Sequence, residues 1–351
     1  MKNPSLREQD GEYLTYAADL DIIRHCRANG LAVRTHPFFR DMEKAWPFVL
    51  CELRDATVIG ESFNPICDDE MFLECVTFDG RRDLKRLLKR DDDAPRRTFE
   101  TDKAFLLGGD RAWGHFIVFY IMRAIYLQLF PELKSLPVIT MAGLQPSLYE
   151  ILAIFGCPKD RLIELDDNDA IHCKELFVPT VAGGAALDGL SISVPDKLTR
   201  LYHTMILQAH GGPNPNPPTA PVYVRRTKTN TKLILNDDAV TDYFVKAGYT
   251  VADPASMSLR EQVELAQTAS FIVSCWGSQI HLADFAQPVC KVAAMVCPDH
   301  IYQRSFDPGP RRFNALGMDF FASVSDCDGE GNLRIDIAKL AKDLNGFGFP
   351  S

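Results

Sequence analysis

The sequence lacks most of the signatures that assign a compartment or a cofactor at a glance. The opening residues, Met1-Lys2-Asn3-Pro4-Ser5-Leu6-Arg7-Glu8, contain no apolar stretch of the kind a secretion signal needs. The ten cysteines, at positions 26, 51, 67, 75, 157, 173, 275, 290, 297 and 327, include no C-x-x-C pair, so neither a zinc spacing nor a dithiol redox motif is written here. These absences predict reduced thiols and a cytoplasmic protein, with peripheral contact at the inner face of a membrane left open. Positive charge is in deficit: 38 Lys and Arg against 47 Asp and Glu give a formal net charge of -9, which argues against a nucleic-acid binder. Basic clusters at Arg81-Arg82, Lys85-Arg86, Lys89-Arg90 and Arg96-Arg97 are interrupted by Asp91-Asp92-Asp93 and read as a solvated helix face and turn.

Long uninterrupted apolar runs are missing too. The longest, Trp113 to Phe130, holds His115, Arg123 and Gln128, each costly in lipid. It is apolar nearly all round, which predicts a buried helix and no transmembrane segment. No Asp-x-Asp metal signature stands in a suitable loop: Asp91-Asp92-Asp93 sits in a charged turn, and Asp166-Asp167-Asn168-Asp169 follows a strand. The expectation is no obligatory metal and no other cofactor. There is no internal repeat.

What is present suits two domains, since 351 residues with 46% hydrophobic content exceed one typical core. Residues 1–45 are polar and mixed and read as an extension. Alternating stretches within 48–76 read as an antiparallel hairpin region. From 104 to 180 strand and helix signals alternate: strand near Phe105-Leu106-Leu107, helix 113–130, strand 137–141, helix 145–155, strands 161–165 and 175–178. That is a first parallel α/β unit. A helix over 196–208 leads to Gly211-Gly212-Pro213-Asn214-Pro215-Asn216-Pro217-Pro218, whose prolines cannot join a ladder, and which reads as a hinge on the surface.

Residues 221–288 then read β-α-β-α-β. The strand Val222-Tyr223-Val224 delivers Arg225 and Arg226 to the carboxyl edge of a sheet, where such folds place ligands. A later strand, Phe271-Ile272-Val273, runs into Cys275-Trp276-Gly277-Ser278. A turn containing Gly277 lets backbone approach an anion closely, and the helix after it offers N–H groups. Arg226 and Lys232 supply formal charge, arginine as a bidentate fork and lysine as a point charge. Phosphate chemistry is the natural use of that set.

The ordered set Tyr223-Val224-Arg225-Arg226, Lys232, Asn236-Asp237, Ala247-Gly248-Tyr249, Ser258-Leu259-Arg260-Glu261-Gln262, Ala269-Ser270-Phe271-Ile272-Val273 and Trp276-Gly277-Ser278 resembles the carboxyl half of the family-61 glycosyltransferases, also labelled capsular polysaccharide biosynthesis proteins. Trp113-Gly114-His115-Phe116 with Arg123 is similar to that family's Asn-x-x-His-Trp segment, and the resemblance spans residues 50–325. Three departures stand out. Trp276-Gly277-Ser278 replaces His-Gly-Ala, Phe119 replaces an acidic residue four positions after the histidine, and Val292-Ala293-Ala294 stands where a Glu is usual.

The resemblance implies an α/β, GT-B-like fold: two Rossmann-like domains facing across a cleft, with the acceptor on 1–195, the nucleotide-sugar donor on 196–351 and a last helix near 334–345 that crosses back. It implies an inverting glycosyltransferase that moves a sugar from a UDP- or GDP-linked donor to a hydroxyl of a glycan, a lipid-linked saccharide or a protein. His115 is then the catalytic base, since an imidazole titrates near working pH. Arg226, Lys232, Asn236, Trp276, Gly277 and Ser278 are the donor-binding set. Glu261 either holds the ribose diol or simply opens an exposed helix. Trp276 is expected to line the cleft and stack on a ring of the ligand. Two other readings use the same fold: a non-catalytic nucleotide-sugar binder or partner subunit, motivated by Trp276 and Phe119, and a nucleotide-sugar epimerase. The sequence names neither the sugar nor the oligomeric state.

Overall fold

The computed structural model describes residues 21–39, 48–60, 62–68, 70–72, 97–180, 196–226, 233–298, 308–328 and 331–350. The chain divides into two compact units, Met1–Pro195 and Asp196–Ser351. Each has its own sheet.

Among the described residues the first unit begins with α1 (Asp21–Ala28), inside the stretch that the sequence predicts to be a polar extension. Ile22, Ile23 and Cys26 sit on one side of it and are buried, which is enough apolar surface to seat a two-turn helix. There follow β1 (Val33–Thr35), β2 (Val49–Ile59), β3 (Pro65–Cys67), β4 (Glu70–Met71) and β5 (Thr98–Gly108). A helix over residues 113–129, α2, leads to β6 (Val138–Met141), α3 (Pro146–Ile154), β7 (Leu162–Leu165) and β8 (Ala170–Pro179). The eight-stranded sheet runs β4-β3-β2-β8-β5-β6-β7, with β1 also on β2. β8, β5, β6 and β7 are parallel. The expected hairpin region is the antiparallel set β2, β3 and β4, and it is welded to the parallel strands by β2 against β8, from Leu50 opposite Pro179 to Ile59 opposite Ala170.

Helix α2 is buried all round, as its sequence demands: every residue from Phe116 to Leu127 is out of water. Burying each large apolar side chain contributes about 1.5–3 kcal/mol, so this helix is a main support of the unit. The lone charge within it, Arg123, donates from Nη1 to the Leu107 carbonyl at 2.9 Å and lies over the Tyr120 ring. The helix is not uniform. It opens as α at Trp113–His115, widens to a π-helix over Phe116–Tyr120, tightens to 3-10 over Ile121–Ala124 and returns to α. No helix among the described residues is long and apolar enough to cross a membrane.

The second unit contains α4 (Asp196–Ala209), β9 (Ala220–Val224), α5 (Asp237–Lys246), β10 (Thr250–Ala252), α6 (Leu259–Thr268) and β11 (Ala269–Cys275). A 3-10 helix (Ser278–Phe285), β12 (Lys291–Val296), α7 (Pro308–Ala315), β13 (Asp319–Val324), the small pair β14 (Asp326–Cys327) and β15 (Leu333–Arg334), and α8 (Ile337–Gly346) complete it. The five-stranded sheet is ordered β10-β9-β11-β12-β13 and is parallel throughout. Its inner strands read as continuous apolar runs because both faces are covered.

The terminal helix α8 packs Leu340 and Leu344 with Tyr223, Val240 and Phe244 in the second unit's own core. Two expectations need correction. The Gly/Pro segment 211–218 has no buried residue, but it connects α4 to β9 inside the second unit and is not the boundary between units. Finally, Cys297 and Cys327 are joined in a disulfide, with Cα atoms 5.6 Å apart, where the scattered thiols were expected to stay reduced.

Candidate active site

The strand order of the second sheet decides where a ligand fits. From β9 the chain steps to β10 on one side, then crosses to β11, β12 and β13 on the other, so the connections leaving the carboxyl ends of β9 and β11 diverge. In doubly wound sheets the crevice at that switch point is where ligands bind. β9 brings Arg225 and Arg226 to this point, and β11 brings Trp276, Gly277 and Ser278.

The two arginines have different work. Arg225 donates from Nε to Asp237 at 2.6 Å and from Nη2 to Asp238 at 3.1 Å, so it ties β9 to the first turn of α5. Arg226 turns toward Gly277 instead. A Cβ placed on Gly277 would stand 2.5 Å from Nη1 of Arg226 and 3.2 Å from Oε1 of Gln279. The backbone of Gly277 is extended (φ 160), so glycine is needed here for space and not for torsion. Beneath lies the Cys275 thiol, contacted by both Arg226 and Gln279; burial pushes its pKa up, and the guanidinium opposes that shift. Ser278 opens the 3-10 helix, whose first turn has amides with no acceptor inside the helix.

Trp276 is half-buried at the same edge. Its backbone N–H donates to Met295 at 2.9 Å, and the indole meets Phe320 edge-on with centroids 6.0 Å apart. Asn236 is elsewhere engaged: Nδ2 donates to the Ile335 carbonyl at 2.9 Å, and Oδ1 accepts from the Ile335 N–H at 3.0 Å. Both halves of its amide pin the strand end before α8. Glu261 completes a capping box at the start of α6, accepting from the Ser258 N–H at 2.7 Å and the Ser258 hydroxyl at 2.8 Å. That is the helix-opening use of the two left open by the sequence. Lys232 lies outside the described residues.

A second cluster belongs to the first unit. β5 ends at Gly108, whose φ of +81 only glycine adopts readily, and a Cβ there would come within 2.9 Å of Tyr120 and Arg123. The turn Gly109-Asp110-Arg111-Ala112 then enters α2. Asp110 uses both carboxylate oxygens: Oδ1 accepts from the Ala112 N–H at 2.6 Å, and Oδ2 stands 3.0 Å from Nδ1 of His115. A carboxylate on Nδ1 fixes the tautomer that leaves Nε2 as the basic nitrogen. Trp113 anchors the helix start by donating from Nε1 to Ser147 at 3.1 Å. Phe119 is buried and tilts against His115 at 5.9 Å, forming an apolar wall.

Asp110 is the residue that sequence reasoning missed. The position four residues after the histidine holds Phe119, and the carboxylate beside the imidazole comes from the turn before it. The carboxylates of the Asp166–Asp169 turn are spoken for, with Arg97 on Asp166 and Asp169 at 2.8 and 2.6 Å and Arg111 on Asp167 at 3.0 Å.

No curated protein matches the chain in sequence. The sequence model of the family described as Glycosyltransferase 61 matches residues 113–293, from the first residue of α2 into β12.

Proposed function

The chain belongs to the glycosyltransferase 61 family and is a glycosyltransferase; from that premise we propose an inverting enzyme of GT-B type that takes its sugar from a UDP- or GDP-linked donor. The acceptor is a hydroxyl of a glycan, a lipid-linked saccharide or a protein. The observation that carries this reading is the position of Arg226 against Gly277 at the switch point of the second sheet. A nucleoside diphosphate needs a cationic fork, close backbone approach and a helix start, and those three converge there.

In this mechanism His115 removes the proton from the acceptor hydroxyl through Nε2 while Asp110 holds Nδ1 and stabilises the imidazolium that forms. The alkoxide forms a bond to the anomeric carbon as the bond to the diphosphate oxygen breaks, with inversion. Negative charge grows on the leaving diphosphate. Arg226, the amides at Gly277 and Ser278, and Lys232 are the groups that stabilise it. Trp276 occupies the usual histidine position with a stacking surface and a single N–H, so it adds shape and no charge.

Titration calorimetry with UDP, GDP and the matching nucleosides tests the reading. Arg226→Ala should weaken the diphosphate roughly ten- to a hundred-fold, the loss of one charge-assisted pair, and leave the nucleoside nearly unchanged. Equal diphosphate affinity in parent and variant would remove Arg226 from the site and sink the proposal.

A further inference from the structure

The geometry points to a divalent transition-metal site in the first unit, built from His25 Nε2, Cys67 Sγ and Asp68 Oδ2, that binds Zn2+ and clips α1 to the β3–β4 hairpin. One ligand atom from each of these three residues lies within 4.8 Å of the other two. His25 Nε2 and Asp68 Oδ2 are 4.0 Å apart. Tetrahedral zinc with bonds of about 2.0–2.3 Å needs its ligands about 3.3–3.7 Å apart. The set is therefore within an ångström or so of closing on a metal.

The least constrained member makes up the difference. Asp68 has a side chain 77% exposed, so its carboxylate swings freely, whereas His25 is held at 7% exposure. Phe72, itself buried, meets the His25 ring edge-on with centroids 5.0 Å apart and limits its rotation. Asp68 also sits in the left-handed backbone region (φ 50), which turns the chain sharply just after β3 and carries the carboxylate back beside Cys67. The side-chain amide of Asn29 is 3.4 Å from His25 Nδ1. Its Nδ2 donates to the His25 carbonyl at 3.1 Å, which fastens the residue that carries the ring to the end of α1.

Chemistry narrows the ion. One imidazole nitrogen, one thiolate and one carboxylate oxygen are the borderline set that suits Zn2+ and discriminates against Mg2+ and Ca2+, which demand oxygen cages. The thiol donates to the Arg54 carbonyl at 3.0 Å. On metal binding that proton leaves to solvent, the sulfur becomes the ligand, and water fills the fourth position on the exposed side. None of these residues belongs to the His115 turn or the Arg226 edge, so the site is distinct from the proposed chemistry.

Cobalt substitution tests it on the full chain. Co2+ added to chelator-treated protein should give a thiolate-to-cobalt charge-transfer band with tetrahedral d–d bands, both bleached by Zn2+. Cys67→Ser should abolish the charge-transfer band. Asp68→Asn, at an exposed position where folding is not at stake, should weaken Zn2+ binding about ten-fold or more, as loss of a direct ligand does. Absence of the charge-transfer band in folded protein, its survival in Cys67→Ser, or unchanged Zn2+ affinity in Asp68→Asn would each overturn the site.

Discussion

Asp110 and His115 face each other across a single turn, Oδ2 to Nδ1 at 3.0 Å, and the other oxygen of the same carboxylate fastens that turn to Ala112. One side chain thus sets both the path of the loop and the orientation of the imidazole. The arrangement supplies from the amino side of the histidine what Phe119 withholds on the carboxyl side.

The pair makes a kinetic prediction. His115→Ala should lower kcat by about 10^2 to 10^4, the usual range for a lost general base, with donor KM nearly unchanged. Asp110→Asn should fall between parent and His115→Ala, since the amide keeps the loop contact but not the charge. Initial-rate measurements on both variants check this; an Asp110→Asn enzyme of full activity would reduce the carboxylate to a loop anchor.

Gly277→Ala should separate binding from folding. The added methyl meets the end of a flexible arginine and not the backbone, so the sheet survives while Arg226 is pushed aside. Diphosphate affinity should drop roughly ten- to a hundred-fold with little change in melting temperature. Calorimetry and a thermal melt on the same sample read the two effects.

A buried ion pair gives the stability of the second unit a dependence on pH. Asp284 is fully buried between Arg312, at 2.9 Å, and His281, at 3.2 Å. Burial alone would raise its pKa, but Arg312 and then His281 outweigh that and hold it at about 2. Because this folded value lies below the unfolded value of about 3.9, the stabilisation is present above roughly pH 4 and is lost as pH falls toward about 2. Arg312→Met, which strands the carboxylate, should cost about 3–5 kcal/mol at neutral pH, and adding Asp284→Asn should recover much of it. Urea unfolding of the single and double variants measures both.

Asn236→Ala should destabilise without touching the nucleotide. It breaks two hydrogen bonds to the Ile335 backbone and leaves partly buried groups without partners, a loss of about 1–3 kcal/mol. Unchanged UDP and GDP affinity beside a lowered melting temperature is the expected pair of results; a selective loss of nucleotide binding would keep Asn236 in the donor site.

Period and punctuation made much of the fold legible. The elements from α2 to β11 stand close to their sequence-based positions, because alternation of buried runs and amphipathic helices repeats there with clear turn residues between. Strands β5 and β8, however, begin earlier than their apolar signals, at Thr98 and Ala170, where polar residues join the ladder. β12, α7 and β13 were not foreseen: Val292-Ala293-Ala294 carries little β-branched signal, and only its neighbours β11 and β13 make it a strand. The candidate site can be read where neighbours in sequence are neighbours in space, as along Trp276-Gly277-Ser278 at the end of β11. It was not legible where partners are distant or hidden in a turn. Asn236 finds Ile335, and Asp284 finds Arg312, only after the chain has folded.

The bridge from Cys297 to Cys327 encloses α7 and the edge strand β13 in a covalent ring. A protease that nicks the backbone anywhere inside that ring releases nothing: the two fragments stay one molecule until a reductant is added, and β13 keeps its place beside β12. This edge strand is held to its neighbour by a covalent bond as well as by its ladder.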